Sequence, residues 1–288
     1  MEIWGGNEPV DTALSVPGLD IWVYSKPYGG SVQGGDIHYV SLCGAGNIAR
    51  LAIADVSGHG EQVSKAAIAL RSLMRKNINT LDQSRFARAL NESFQMYEPS
   101  DSTGHYATAL LATYWAPTDH LLLVNAGHPR PLMYCARERS WFEVDAETAG
   151  NSNGRVTRER AEAGDQGELP SNLPIGMLDP TAYTQIAVKL EPGDLILIVT
   201  DGVTESRAPG GSELGSSGLL EMVRTISIDA PGEFLATLRE RLRVYTGDAA
   251  AIDDVTMAIL HHNATTPPKQ SIGEHLRVIG RMLGFGKM

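Results

Sequence analysis

The tightest constraint on this chain is a repeated one: apolar runs of strand length that stop or start at an aspartate. Leu51-Ala52-Ile53-Ala54 runs into Asp55, Leu195-Ile196-Leu197-Ile198-Val199-Thr200 runs into Asp201-Gly202, and Asp253-Asp254 opens Val255 to Leu260. Such short runs, bounded by glycine and acidic turns, read as buried strands. A fourth aspartate, Asp36, follows Gly34-Gly35 and leads an alternating stretch, with Ile37, Tyr39 and Ser41 against His38, Val40 and Leu42. Gly44 to Gly46 supplies a turn. If the flanking segments pair as a hairpin, Asp36 and Asp55 lie side by side at one sheet edge. Carboxylates brought together repel and are costly unless a cation sits between them. Glycines beside them let the backbone approach an ion or phosphate closely. Carboxylate oxygens with water suit Mg²⁺ or Mn²⁺, and no Cys/His cluster competes for a softer metal. The plainer alternative is that each aspartate merely shapes a turn.

Composition narrows the class. The 288 residues suffice for one large or two small domains, and 42% apolar with 20% charged residues describes a globular protein. A net charge of −10 argues against nucleic acid as a partner. Cys43 and Cys135 are too few for a disulfide framework, no apolar run approaches the ~20 residues of a membrane span, and the N-terminus lacks the pattern of a signal peptide. A cytoplasmic location is the expectation.

Along the chain, residues 1 to 18 read as loop, with Trp4 tucked against the domain, and Leu19 to Tyr24 alternates as a strand. Val63, Ala66, Ala67, Leu70, Leu73 and Met74 recur at helical spacing, and Asp82 can cap a second helix with Phe86, Leu90, Phe94 and Tyr97 on one face. Strands follow at Tyr106 to Trp115, Leu121 to Asn125, Pro131 to Tyr134, Trp141 to Val144 and Tyr183 to Leu190. Helices are predicted at Leu219 to Ile226 and Pro231 to Tyr245, and Val255 to Leu260 is the last core strand. Residues 146–172 are polar and glycine-rich, with almost no large apolar side chain, and read as a mobile insertion, either a flap over the site or a plain excursion. Domain organisation is therefore expected as one domain over residues 1–262, then 263–288 as a linker and an amphipathic C-terminal helix. In that tail, Ile272, Leu276, Ile279 and Leu283 share a face beside Arg277, Arg281 and Lys287. It can dock on its own domain or a second copy, or meet a partner or an anionic membrane surface. The order of elements suits an α+β layered sandwich.

Six short motifs now bear on family. In order they are Gly34-Gly35-Asp36, Asp55-Val56-Ser57-Gly58-His59-Gly60, Asn125-Ala126-Gly127-His128-Pro129, Leu173-Pro174-Ile175-Gly176, Thr200-Asp201-Gly202-Val203-Thr204-Glu205 and Asp253-Asp254-Val255-Thr256. Together they resemble the metal-dependent serine/threonine protein phosphatases of the PPM (PP2C-like) family, in its bacterial sporulation and stress-response branch. The resemblance implies an α-β-β-α four-layer sandwich, two antiparallel sheets flanked by helices, with two Mn²⁺ or Mg²⁺ ions at one edge. It implies that Asp55 bridges the ions, that the Val56 carbonyl and Asp36 serve one of them, and that Asp201 and Asp253 hold the other. Asp254 is then left for a weaker ion or a supporting role. His59 can act as general acid toward the leaving oxygen or simply hydrogen-bond its turn. His128 reads as turn-shaping, and Thr204 and Glu205 as supporting residues. Eukaryotic relatives grip phosphate with an arginine just before the first acidic ligand. Here Gly29-Gly30-Ser31-Val32-Gln33 has none, which leaves Lys26 as the candidate.

The activity implied is hydrolysis of phosphoserine or phosphothreonine in a protein by a metal-activated water. A phosphorylated anti-sigma-factor antagonist in partner-switching regulation is the implied substrate class. Two rivals remain at this stage: a non-catalytic pseudophosphatase that binds a regulator, and a two-metal hydrolase of small phosphate esters.

Overall fold

The structure, a computed structural model, describes residues 2–43, 46–58, 61–97, 105–145, 155–158, 170–249 and 251–266. His59, the loop after the second helix and the 267–288 tail with its expected amphipathic helix lie outside the described residues.

Thirteen described strands form two wholly antiparallel sheets. The larger contains β1 (Glu2–Gly6), β4 (Asp36–Cys43), β5 (Ile48–Val56), β6 (Ala107–Trp115), β7 (His120–Ala126), β10 (Val156–Arg158) and β11 (Gln185–Lys189), in the order β1-β4-β5-β6-β7-β11-β10. The smaller contains β2 (Val10–Val16), β3 (Leu19–Lys26), β8 (Leu132–Cys135), β9 (Ser140–Glu143), β12 (Leu195–Val199) and β13 (Val255–His261), in the order β2-β3-β13-β12-β8-β9. Helices α1 (Glu61–Asn77) and α2 (Gln83–Gln95) cover the larger sheet. The short α3 (Asp201–Thr204) follows β12, and α4 (Gly215–Arg224) and α5 (Phe234–Thr246) cover the smaller sheet. The expected α-β-β-α four-layer arrangement is therefore the observed one.

The unbroken apolar run at 51–54 of β5 and the whole of β12 follow from burial on both faces. Leu51 and Ile53 of β5 enter the core between the sheets with Val23, Leu110, Ile196 and Ala258. Ala52, Ala54 and Val56 face the other way, under Ala66, Leu70 and Met74 of α1 and Phe86, Leu90 and Phe94 of α2. On the opposite side, Leu195, Leu197 and Ile259 pack against Leu219, Val223, Leu235 and Leu238. The Asp82 carboxylate accepts from the Ser84 and Arg85 amides at 2.9 and 3.0 Å and so caps α2 as expected.

Two expectations are corrected. Residues 1 to 18 are not loop: they supply β1 and β2, because their backbones complete the edges of sheets whose other strands lie far along the chain. Trp4, Val10 and Leu14 pack against the intersheet core. The 146–172 insertion is not wholly an excursion either. Val156 to Arg158 pair with β11, and Val156 is fully buried. Arg155 is buried against Asp194, whose carboxylate also accepts the Glu191 and Ala136 amides. Ion pairing lets a polar segment enter the fold without a large apolar side chain. Residues 146–154 and 159–169 lie outside the described residues.

Candidate active site

Pairing of β4 with β5 sets Asp36 directly opposite Asp55, and β5 in turn sets Asp55 opposite Thr108 of β6. The site is thus seeded by register: the first residue of one strand meets the penultimate residue of its neighbour. Asp36 is 2% exposed; its Oδ2 accepts from the Thr200 hydroxyl at 2.8 Å, while its Oδ1 has no hydrogen-bond partner. Burial, followed by the neighbouring Asp55, holds the Asp36 carboxyl well above the usual carboxylate range.

Thr200 belongs to the other sheet. Its backbone N–H donates to the Thr256 carbonyl at 3.0 Å, and its hydroxyl accepts from the Thr256 amide at 2.9 Å. This join between β12 and β13 brings Asp201 and Asp253 to the same rim. Asp55 feels both: burial first, then the charges of Asp201, Asp253, Asp254 and Glu205, push it up to about 7. Burial and then Glu205 and Asp253 raise Asp201. Like charges in one poorly solvated place cannot all ionise without an external positive charge.

Asp254 does something different from its neighbour. Its Oδ1 accepts the Tyr28 amide at 2.6 Å, and its Oδ2 accepts those of Gly35 and Asp36 at 2.5 and 3.2 Å. It therefore clamps the glycine-rich loop that delivers Asp36, while Asp253 Oδ1 accepts the Asp254 amide at 2.8 Å. Glycine is needed where this loop closes. A Cβ on Gly34 would lie 2.3 Å from Asp254 Oδ2, and one on Gly35 would lie 3.0 Å from the Val56 carbonyl and 3.5 Å from Asp55 Oδ1. The space beside Gly35 is thus shared by two of the oxygens singled out in the sequence. A cavity of about 640 Å³ opens here, lined by Tyr28, Gln33, Gly34, Gly35, Asp253 and Asp254 among others.

The other motifs shape the rim. Asn125 brackets its turn, accepting the His128 amide and donating to the His128 carbonyl, both at 2.8 Å. So Asn125 rather than His128 shapes the turn. His128 is buried, with Nδ1 3.1 Å from the Thr108 hydroxyl, and burial pushes it down to about 3, which keeps it neutral. Gly127 packs on Pro174, and Ile175 exchanges two backbone hydrogen bonds with Ala107, the partner of Val56. Lys26 lines a separate groove rather than the carboxylate cavity. Glu205, expected as a supporting residue, raises both Asp55 and Asp201 through its charge. Its position four residues after Asp201 is the signal that places both at one helix face.

Among the described residues, no three Asp, Glu, His or Cys side chains converge tightly enough to hold an ion alone. A hard cation that keeps several waters asks for less than that. The unpartnered buried Oδ1 of Asp36, the raised Asp55 and Asp201, and the carbonyl beside Gly35 are oxygen donors lacking positive charge. They fit such ions.

Two antiparallel sheets between helical layers, with acidic residues gathered at one rim, define the PP2C class of fold. Over residues 46–263 the chain matches the family model of Stage II sporulation protein E (SpoIIE), and it belongs to that family. It is 23% identical over 244 residues to the phosphoserine phosphatase RsbU of Bacillus subtilis, covering 84% of this chain and 63% of RsbU. It is 29% identical over 89 residues to protein IcfG of Synechocystis, covering 31% of this chain and 14% of IcfG. The chain thus spans less than two thirds of either curated relative. Among solved structures, the RsbU and RsbW domains of a Mycobacterium tuberculosis protein superpose with a TM-score of 0.66 at 23% identity, covering 96% of this chain and 71% of that one. The PP2C domain of SpoIIE from Bacillus subtilis, with a fragment of its regulatory domain, gives 0.64 at 16% identity over 86% and 64% of the respective chains.

Proposed function

We propose that this chain is a divalent-metal-dependent phosphoprotein phosphatase acting on phosphoserine or phosphothreonine. One observation carries the reading: Asp36 and Asp55, paired by register, meet Asp201 and Asp253 from the other sheet with an oxygen of Asp36 left unpartnered. Asp36, Asp55 and the Val56 carbonyl would hold one Mn²⁺ or Mg²⁺, and Asp55, Asp201 and Asp253 a second. Bound there, the ions would supply positive charge against the phosphate oxygens and lower the pKa of an attacking water. The chain's own part is positional. Thr200 orients Asp36, Asp254 fixes the loop that carries it, and the shared rim keeps carboxylates from both sheets within reach of one substrate phosphate. His59 is the candidate proton donor to the leaving oxygen.

The match to RsbU, named a phosphoserine phosphatase, supports the substrate chemistry. A phosphorylated antagonist of an anti-sigma factor is the substrate class that the family resemblance implies. Among the described residues no helix is long and apolar enough to cross a membrane. The test is Mn²⁺-dependent hydrolysis of p-nitrophenyl phosphate and of a phosphoserine protein, lost in Asp55→Asn and Asp201→Asn. Hydrolysis that is absent, or insensitive to both substitutions, refutes the proposal and leaves a regulator-binding pseudophosphatase. Turnover confined to free phosphoserine would instead identify a small-ester hydrolase.

A further inference from the structure

Segment 251–255 is a ridge between two cavities. Ile252, Asp253 and Asp254 line the carboxylate cavity on one side. Ala251 and Val255 line a groove of about 560 Å³ on the other, between α5 and the smaller sheet. An extended peptide advances about 3.3 Å per residue, so one laid over this ridge passes from one cavity to the other within a few residues.

The groove has an apolar floor and a charge imbalance. Tyr24 and Val255, both half-buried, present its apolar surface, over Val203, Leu242 and Met257 buried beneath. Arg243 is already paired with Glu240 and Asp248. Arg239 is paired with Asp11 at 2.8 Å and stacks over the Tyr24 ring at 3.8 Å. Lys26, exposed at the end of β3, forms no ion pair among the described residues. Lys26 is therefore the groove cation left to meet an acidic side chain of a bound peptide.

We propose that this groove docks the stretch of a phosphoprotein flanking its phosphorylated residue, taking an apolar side chain on the floor and an acidic neighbour at Lys26. The inference rests on the phosphatase reading and deepens it: the groove is what separates a protein substrate from a small ester.

The experiment compares phosphoserine peptides carrying Leu-Glu, Leu-Lys or Gly-Gly two to four residues from the phosphoserine, with p-nitrophenyl phosphate as the small substrate. Wild type is expected to favour the Leu-Glu peptide by roughly tenfold in kcat/KM. Ala236→Trp, an exposed α5 position that lines the groove, should abolish that preference through KM while leaving p-nitrophenyl phosphate turnover unchanged. Lys26→Glu should reverse the preference toward Leu-Lys. The same peptides are measured for binding to Asp55→Asn by fluorescence anisotropy. Absent hydrolysis then counts against the phosphatase reading, while the groove stands or falls on affinity. Indifference of the wild type to flanking sequence, or an undiminished preference in Ala236→Trp, overturns the proposal. So does displacement of the peptide by a synthetic 267–288 segment, which makes the chain's own tail the occupant.

Discussion

Thr200 holds Asp36 across the gap between the sheets, its hydroxyl donating to Oδ2 at 2.8 Å while accepting the Thr256 amide at 2.9 Å. A carboxylate on the larger sheet is thereby aimed by a residue of the smaller one. Thr200→Val keeps the shape but removes both functions. It should lower stability by about 1–3 kcal/mol and weaken Mn²⁺ affinity roughly 10–100-fold, with Thr200→Ser close to wild type. Thermal melts and metal titrations on the three proteins check this. Unchanged Mn²⁺ affinity in Thr200→Val would show that Asp36 needs no such aim.

The pH dependence follows from Asp55, raised to about 7. A raised carboxyl pKa means that the metal-free folded protein holds a proton there below about pH 7. A cation must displace it. Mn²⁺ affinity should therefore climb with pH through about 7, with net proton release over that range. Calorimetric titrations at pH 6 and 8, in buffers of differing ionisation enthalpy, measure both. A flat profile contradicts the environment described for Asp55.

Gly202 sits where α3 meets the start of β13, and a Cβ there would lie 1.9 Å from the Asp254 carbonyl oxygen. Gly202→Ala must push Asp201 away from Asp253. Phosphatase activity should fall by roughly 100-fold or more, because small displacements of positioned groups are costly in rate. Gly210→Ala, with nothing within 4 Å of its Cβ, is the control and should match wild type. Kinetics of the two variants side by side decide it.

Arg155 and Asp194 form an ion pair with 7% and 0% side-chain exposure. Removing one partner leaves the other charged and buried. Asp194→Ala should cost about 3–5 kcal/mol in chemical denaturation. Glu213→Ala breaks the exposed pair with Arg207 and should cost about 0–1 kcal/mol. Equal effects would mean that residues 155–158 are not built into the fold.

The acidic rim was legible because its residues end apolar runs, a local pattern that buried strands impose. The pairing of Asp36 with Asp55 was legible for the same reason, since a short turn between alternating segments sets register. What escaped was non-local. Glu2-Ile3-Trp4-Gly5-Gly6 carries no alternation and becomes β1 only because β4 offers it an edge. Arg155 looked like one more charge in a polar stretch until Asp194, 39 residues on, neutralised it. Asp254 could be set apart from Asp253 as a supporting residue, but its three amide donors come from residues some 220 positions earlier, which no spacing rule connects. Even the layering into two sheets came from the family resemblance, because periodicity says which face is buried and not against what.

Adjacent residues 253 and 254 have divided labour, one adding its charge beside Asp55 and Asp201 and the other spent inward on main-chain amides. Both residues precede β13, so the bend at 252–253 sets that division. Lengthening or shortening the 248–253 connection by a single residue would be absorbed elsewhere in a surface loop, but if it shifted this dipeptide by one step the two roles would be exchanged together. The rim acid would be lost and the Tyr28–Asp36 loop released in the same event. Tolerance to insertion at this point of the chain should consequently be all or none, with no partially active intermediates between an intact site and a dismantled one.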